Sequence, residues 1–278
     1  MTITAHPNHL LDQVLSEIET GYAPEAILML SGMLDASLAK RNGIQCWRRS
    51  LIGHPLYQLL ISHLHALSII AAPISGKYSG KEKTDDFPIF AVTKMMASSF
   101  SKLGFVRAFA ARDALSMQCV GEAWRAGKHV ALYDCGTLSE LNFLNGRDTT
   151  NIVTTPDCSS ARGKFGNDGA HPFDLIIANS IADRLSSECL KTACTRFATQ
   201  LKPGGRIVLS AFAPGHLGQG LQQLCVNPDL VCHTEQTLEE VAQATGLSFS
   251  SFRDASNSLI WVEMRAVSES QLQLGEAA

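Results

Sequence analysis

Four short apolar runs follow Lys128, and none of them alternates with polar residues. They cover residues 130–133, 151–153, 175–178 and 207–209. A strand with one face in water alternates apolar and polar side chains, whereas a strand covered on both faces is apolar throughout. The runs therefore predict a parallel sheet that is covered on both faces.

The segments between these runs have helical patterns. Apolar residues share one helical face over 186–198, and Pro203-Gly204-Gly205 is expected to end that helix. A capping box at 237–240 predicts the start of a second helix, which stops at Gly246. Strands that alternate with helices predict a doubly wound sheet, whose ligands bind beyond the carboxyl ends of the strands.

The last two strand-like stretches predict an antiparallel edge. The run 259–264 follows the stretch 248–252 after only a short connection. A parallel return needs a dozen or more residues, so this pair is expected to be antiparallel. The predicted fold class is α/β: a doubly wound, mostly parallel sheet with an antiparallel last strand and a helical N-terminal cap.

The first half of the chain has a different pattern. Apolar residues recur at helical spacing from residue 8 to 127, and strand-like alternation is missing. We expect two domains, a helical cap or lid over 1–127 and a doubly wound domain over 128–278. The polar stretch 76–86 is either a lid or an ordinary solvated linker.

Charge and composition narrow the classes of partner. The 278 residues include 23 basic and 26 acidic side chains, scattered along the chain, so binding to nucleic acid by charge is not expected. No apolar stretch approaches the roughly 20 residues of a membrane span, and the first residues lack the features of a signal peptide. We expect a cytoplasmic protein with a small-molecule substrate and no membrane partner; its oligomeric state is left open.

The eight cysteines do not indicate a metal centre. They form no Cys-x-x-Cys pair and no Cys/His alternation at zinc spacing. We expect reduced thiols that fill apolar space, and no bound metal.

Polar residues stand where the predicted strands end. Asp134-Cys135-Gly136 follows the first run, Asn179 and Asp183 follow the third, and Ser210 follows the fourth. Backbone amides and helix N-termini at such positions can hold a carboxylate or a ribose. Neither a P-loop nor a Gly-x-Gly-x-x-Gly motif occurs, which disfavours nucleoside triphosphates and nicotinamide cofactors.

Two segments resemble the class I S-adenosylmethionine (SAM) dependent methyltransferases. Phe-Asp-Leu-Ile-Ile-Ala-Asn-Ser at 173–180 is similar to that family's fourth strand, and Leu-Lys-Pro-Gly-Gly-Arg-Ile-Val-Leu at 201–209 to its fifth. The resemblance covers roughly residues 53–265. It is greatest to a bacterial subgroup that forms 3-hydroxypalmitate methyl ester, which has a helical N-terminal part and a lid that the sequence around Tyr78 resembles.

The resemblance implies a Rossmann-like SAM-binding domain over 128–278, with the ligand at the tips of the first, fourth and fifth strands. The residues expected to bind SAM on this basis are Tyr78, Arg107, Arg112, Asp134, Cys135, Gly136, Asp157, Asn179 and Ser180.

The chain departs from the family in two places. Leu138 stands where the family has a second loop glycine, and its side chain is expected to displace the methionine end of the ligand. The stretch from Asp157 to Asp174 is shorter than the roughly 30 residues that a complete helix–strand–helix passage needs. The family's third strand is therefore expected to be vestigial or lost, and its adenine contacts are not carried over.

These departures favour a reaction in which SAM is its own acceptor. Its α-amine would attack its own γ-carbon and give azetidine-2-carboxylate and methylthioadenosine, as in a small group of similar methyltransferase-fold enzymes. Asn179 and Ser210 are neutral acceptors that would leave the amine less protonated than a carboxylate would. Asp183 would orient them or take the proton through water, and the ring of Tyr78 or Tyr133 would line the cavity around the sulfonium. Arg107 or Arg112 would hold the substrate carboxylate.

Two alternatives stay open. Methyl transfer to a small carboxylate, hydroxyl or amine would instead give S-adenosylhomocysteine. A methyltransferase-like scaffold that has lost its ligand would bind no SAM.

Overall fold

The structure, a computed structural model, describes residues 7–39, 43–66, 100, 102–133, 151–155 and 173–266. Its helices are α1 Pro7–Glu19, α2 Ala23–Leu38, α3 Gly43–Ile52, α4 Pro55–Ala66, α5 Gly104–Arg125, α6 Ser187–Ala198, α7 Gln219–Cys225 and α8 Glu235–Thr245. Its strands are β1 Val130–Tyr133, β2 Ile152–Thr155, β3 Phe173–Ile177, β4 Leu201–Phe212, β5 Ser248–Arg253 and β6 Leu259–Arg265.

The chain divides into two compact units. The first comprises Met1–Arg107 with Gly215–Leu230, and the second comprises Ala108–Pro214 with Val231–Ala278. The division differs from the expected boundary between residues 127 and 128. It passes through α5, because that helix runs on from residue 107 to 108, and the segment containing α7 returns to the first unit.

The described part of the first unit is helical, as the sequence pattern predicts. The apolar residues that recur at helical spacing in α1 and α2 are fully buried: Leu11 and Val14, with Ile27, Leu30 and Leu34. No helix in the part of the chain that the structure describes is long and apolar enough to cross a membrane.

A close backbone approach joins α7 to α2. The carboxylate of Asp35 accepts hydrogen bonds from the backbone N–H groups of Gly218 and Gly220, at 2.8 and 2.7 Å. A Cβ added at Gly220 would lie 2.6 Å from the backbone carbonyl carbon of Leu34. Real Cβ atoms do not approach backbone so closely, so residue 220 must be glycine for the two helices to pack in this way.

The second unit is built on the predicted sheet. The strand order is β2-β1-β3-β4-β6-β5; the first four strands are parallel, and β6 pairs antiparallel with both β4 and β5. The predicted α/β class is confirmed. The segments assigned above to the family's first, fourth and fifth strands are β1, β3 and β4 of this structure. These three strands lie side by side. Residues 156–172, where a third strand is expected to be lost, lie outside the described residues.

Both faces of the sheet are covered, which explains the continuous apolar runs. Ala131 and Tyr133 of β1 pack in the cluster that contains the apolar residues of α6 and α8. Val130 and Leu132, which point the other way, pack with residues of α5. Because successive strand residues face opposite sides, a strand segment covered on both faces is apolar at almost every position.

The Pro-Gly-Gly segment does not end a helix, so that expectation is wrong. Helix α6 ends at Ala198, and Pro203-Gly204-Gly205 forms a bulge within β4. Gly204 has φ +75°, and a Cβ at Gly205 would lie 2.8 Å from the carbonyl oxygen of Lys202. The bulge therefore explains both glycines through local strand geometry.

Helix α8 begins earlier than the capping box at 237–240 predicts. The Thr234 hydroxyl accepts from the backbone N–H of Thr237 and caps the helix, which begins at Glu235. The predicted stop at Gly246, with φ +70°, is confirmed.

Substituting Gly220 by Ala should destabilise the first unit by about 1–3 kcal/mol, because the new methyl group meets backbone that cannot move aside. The matched control is Gly32→Ala in α2, where the new Cβ meets nothing within 4 Å. That change should be neutral or stabilise by up to about 1 kcal/mol. Urea unfolding followed by far-ultraviolet circular dichroism measures both, and equal effects would contradict the close packing of α2 and α7.

Candidate active site

The carboxyl ends of β3 and β4 bring Asn179 and Ser210 together, as the sequence predicts. The backbone N–H of Ala178 donates to the carbonyl of Val208 at 2.9 Å, which continues the pairing of the strands. The hydroxyl of Ser210 then donates to the backbone carbonyl of Asn179 at 3.2 Å. Both side chains are buried, Asn179 with 4% and Ser210 with 0% of its surface exposed.

One atom of the Asn179 amide has no hydrogen-bond partner among the residues that the structure describes. Its Nδ2 donates to the hydroxyl of Ser116 in α5, whereas its Oδ1 is buried and accepts no hydrogen bond from any residue that the structure describes. An unsatisfied buried polar atom costs about 1–3 kcal/mol, and such atoms in native proteins require an explanation. Asn179 Oδ1 is therefore suited to receive an N–H or O–H group of a ligand.

A buried ion pair lies in the same cluster of side chains. Arg112 Nη1 of α5 donates to Asp183 Oδ2 at 2.7 Å, and only 3% and 5% of these residues are exposed. The guanidinium lies 4.5 Å from the ring centre of Phe109 and 5.7 Å from that of Phe212, distances typical of cation–π contacts. The backbone N–H of Phe212 also donates to the Asp183 carboxylate.

Two opposing effects act on the carboxyl group of the pair. Burial raises the pKa of Asp183 to about 6, against the lowering effect of the Arg112 charge. The guanidinium in contact with the carboxylate balances its negative charge. Burial, together with the charge of Arg112, also lowers the pKa of Arg184.

His233 holds the turn that carries Asp183. Its Nε2 lies 3.0 Å from the carbonyl oxygens of both Ala182 and Leu185, and its backbone N–H donates to the carbonyl of Phe212 at 3.0 Å. Since carbonyl oxygens only accept, Nε2 must carry the proton. The segment after β3 is thus fixed to the end of β4.

Two residues of this cluster were not identified from the sequence. Ser116 stands four residues after Arg112, the helical spacing that places both on one face of α5, so that spacing could have indicated it. His233 precedes the capping residue of α8, and nothing in the sequence around it indicates contact with the turn after β3.

The structure places the predicted arginines differently. Arg112, expected to hold the substrate carboxylate, is buried and donates to Asp183, whereas Arg107 is exposed. Asp183, expected to orient Asn179, accepts from Arg112 instead. The Asn179 amide is oriented by the hydrogen bond that its Nδ2 donates to the Ser116 hydroxyl. Ser180, next to Asn179, is half-buried.

Tyr133, a candidate for the wall around the sulfonium, belongs to the core. Its ring packs 4.5 Å from that of Phe197, and its hydroxyl donates to Gln200 at 2.6 Å. The remaining predicted site residues lie outside the described residues: Tyr78, Asp134, Cys135, Gly136 and Asp157.

This arrangement offers a ligand a neutral acceptor. Asn179 Oδ1 carries no formal charge, and the carboxylate of the cluster is already paired with Arg112. Within the described part of the chain, no group of three or more His, Cys, Asp and Glu residues is placed to hold a metal ion.

Comparison with known proteins identifies similar structures and no similar sequence. No family model matches the chain, and no curated protein matches it. A possible exported protein from Bordetella parapertussis aligns with a TM-score of 0.51 at 15% identity, over 88% of this chain and 96% of that chain. That match shows a shared fold over most of the chain.

Other solved structures that match include methyltransferases. The S-adenosylmethionine-dependent methyltransferase SibL, in its apo form, aligns with a TM-score of 0.46 at 12% identity, over 93% of this chain and 74% of that one. An O-methyltransferase family protein from Burkholderia thailandensis aligns with a TM-score of 0.41 at 13% identity, over 83% and 74%.

Replacing Arg112 by Met should destabilise the protein by about 3–5 kcal/mol at pH 8, because it leaves the Asp183 carboxylate buried without a counter-charge. The loss should be smaller at pH 5. Without Arg112 the pKa of Asp183 rises further above its value in the unfolded chain, so stability falls as pH rises through the raised pKa.

The control is the double variant Arg112→Met with Asp183→Leu, which exchanges the pair for apolar side chains. It should recover much of the lost stability and should remove the added pH dependence. Urea unfolding at pH 5 and pH 8 measures all three proteins. A loss of the same size at both pH values would contradict the assignment to Asp183.

Proposed function

We propose that the chain consumes S-adenosylmethionine in an alkyl-transfer reaction and binds the α-amine of this substrate at Asn179 Oδ1. The observation that carries the proposal is this buried acceptor, which has no hydrogen-bond partner within the described part of the chain and lies at the carboxyl end of a parallel strand. Ligands of doubly wound sheets bind at that edge. The resemblance of residues 173–180 and 201–209 to the fourth and fifth strands of the methyltransferase family supports the same ligand.

The chemistry supplied by SAM is a sulfonium whose neighbouring carbons are electrophilic. The contribution of the protein is mainly to position the reacting groups, which can supply several kcal/mol. Asn179 would accept from the amine, while Ser210 fixes the backbone of Asn179 through its hydrogen bond to the carbonyl. The proposal also includes contacts of SAM with the other residues that the family resemblance implies: Tyr78, Arg107, Asp134, Cys135, Gly136, Asp157 and Ser180.

Within this class we propose ring closure of SAM to azetidine-2-carboxylate. The amine nitrogen would bond to the γ-carbon while the bond from that carbon to sulfur breaks, and the electron pair would stay on sulfur in methylthioadenosine. The ammonium must first lose one proton to water. A free carboxylate beside the amine would oppose this loss, whereas here the carboxylate of Asp183 is paired with Arg112.

The products distinguish the reactions. Purified protein is incubated with SAM alone, beside a reaction without protein, and the products are identified by mass spectrometry. We expect azetidine-2-carboxylate and methylthioadenosine in equal amounts. If S-adenosylhomocysteine forms, and only when an acceptor is added, the reaction is methyl transfer and not ring closure. If calorimetry detects no SAM binding, the whole proposal is overturned.

Substitutions of Asn179 should separate binding from chemistry. Asn179→Ala removes the acceptor and should weaken SAM binding by roughly tenfold or more. Asn179→Asp keeps an acceptor but favours the ammonium form, so binding should persist while kcat falls at neutral pH and its pH profile moves to higher pH. A pH profile that does not move would argue against the amine as the nucleophile.

A further inference from the structure

We propose that Ser116 is a positioning residue that determines which atom of the Asn179 amide faces the ligand, and thereby selects ligands with a hydrogen-bond donor at that place. The inference rests on the proposed function, because the ligand it considers is the amine of SAM. It adds Ser116 of α5 to Asn179 and Ser210, which lie at the ends of β3 and β4.

The Ser116 hydroxyl has a single proton to donate. The Ser116 hydroxyl donates to the backbone carbonyl of Arg112, four residues earlier in α5, at 2.7 Å. That carbonyl has no proton to give, so the direction of this bond is fixed. Ser116 can therefore offer Asn179 only a lone pair.

A lone pair requires a donor opposite it. The Asn179 amide has a donor, Nδ2, and an acceptor, Oδ1, and its Nδ2 faces the Ser116 hydroxyl. If the amide turned over, Oδ1 would face a lone pair and a buried hydrogen bond would be lost, at a cost of about 1–3 kcal/mol. The orientation of the amide thus follows from hydrogen-bond chemistry.

Burial and packing make this orientation persist. None of the surface of Ser116 and only 4% of that of Asn179 is exposed, so bulk water cannot replace either partner. One turn before Ser116, the ion pair of Arg112 with Asp183 fixes α5 against the segment after β3. A chain of contacts thus runs from Asp183 through Arg112 and Ser116 to Asn179.

The orientation of the Asn179 amide determines which ligands the site can satisfy. Because Nδ2 is occupied by Ser116, the site presents only Oδ1, which accepts and cannot donate. A sulfonium nucleoside with a primary amine satisfies this atom, whereas methylthioadenosine, which lacks the amine, leaves it unsatisfied. Sites built to bond a polar group reject analogues that lack it, since their own buried atoms then remain unpaired.

Calorimetry with two ligands tests the inference. SAM and methylthioadenosine are titrated into the wild type, Ser116→Ala and Ser116→Thr. Ser116→Ala should weaken SAM binding by about tenfold, since the amide can then turn over, and should leave the affinity for methylthioadenosine unchanged. Ser116→Thr keeps the hydroxyl and should retain the preference for SAM.

A double-mutant cycle shows whether Ser116 acts through Asn179. In the Asn179→Ala background, Ser116→Ala should no longer change SAM affinity. The inference is overturned if Ser116→Ala weakens SAM equally in both backgrounds, or if it weakens both ligands by the same factor. If the wild type binds SAM and Ser116→Ala binds it equally well, only this inference is overturned. If the wild type does not bind SAM, the proposed function is overturned as well.

Discussion

The buried ion pair of Arg112 with Asp183 is the interaction on which the candidate site depends. Removing both charges from water is costly, and their attraction compensates only when the geometry is good and further hydrogen bonds are made. Here Arg112 stands over two aromatic rings, and Asp183 also accepts from the backbone of Phe212. These requirements fix the rotation of α5 about its axis, and that rotation places Ser116 against Asn179.

The same pair determines the electrostatic character of the site. Two opposite charges in contact largely cancel at a distance, so a ligand beside Asn179 meets a neutral acceptor and little net field from the pair. An ammonium group gains less there than it would beside a free carboxylate, and its pKa is correspondingly less raised. Attack by a neutral amine is the kind of reaction that this arrangement favours.

The sequence predicts the sheet well because its strands are constrained on both faces. Continuous apolar runs such as 130–133 have one simple explanation, and the adjacency of Asn179 and Ser210 follows once their strands are neighbours and parallel. The Pro-Gly-Gly bulge was misassigned because glycine and proline end helices and disrupt strands alike. Whether the chain bulges or stops there depends on the register with β3, which sequence spacing does not contain.

The sequence pattern does not predict contacts between segments that are distant in the chain. The role of Ser116 depends on how far α5 is rotated about its axis over the sheet. The hydrogen bond between Gly218 and Asp35 joins residues that are 183 positions apart in the sequence. A helical period tells which residues share a face, but it does not tell which partner that face meets. The return of residues 215–230 to the first unit was missed for the same reason.

The chain passes between the two units at three points, and each point lies close in sequence to a residue of the cluster around Asp183. Arg107 and Ala108, where α5 passes from one unit to the other, lie about one turn before Arg112. The chain leaves the second unit after Pro214, shortly after Phe212. It re-enters at Val231, whose N–H donates to the backbone carbonyl of Asp183 at 2.9 Å. Within the second unit, the segment that carries Asp183 is therefore hydrogen-bonded directly to the residue at which the chain re-enters that unit.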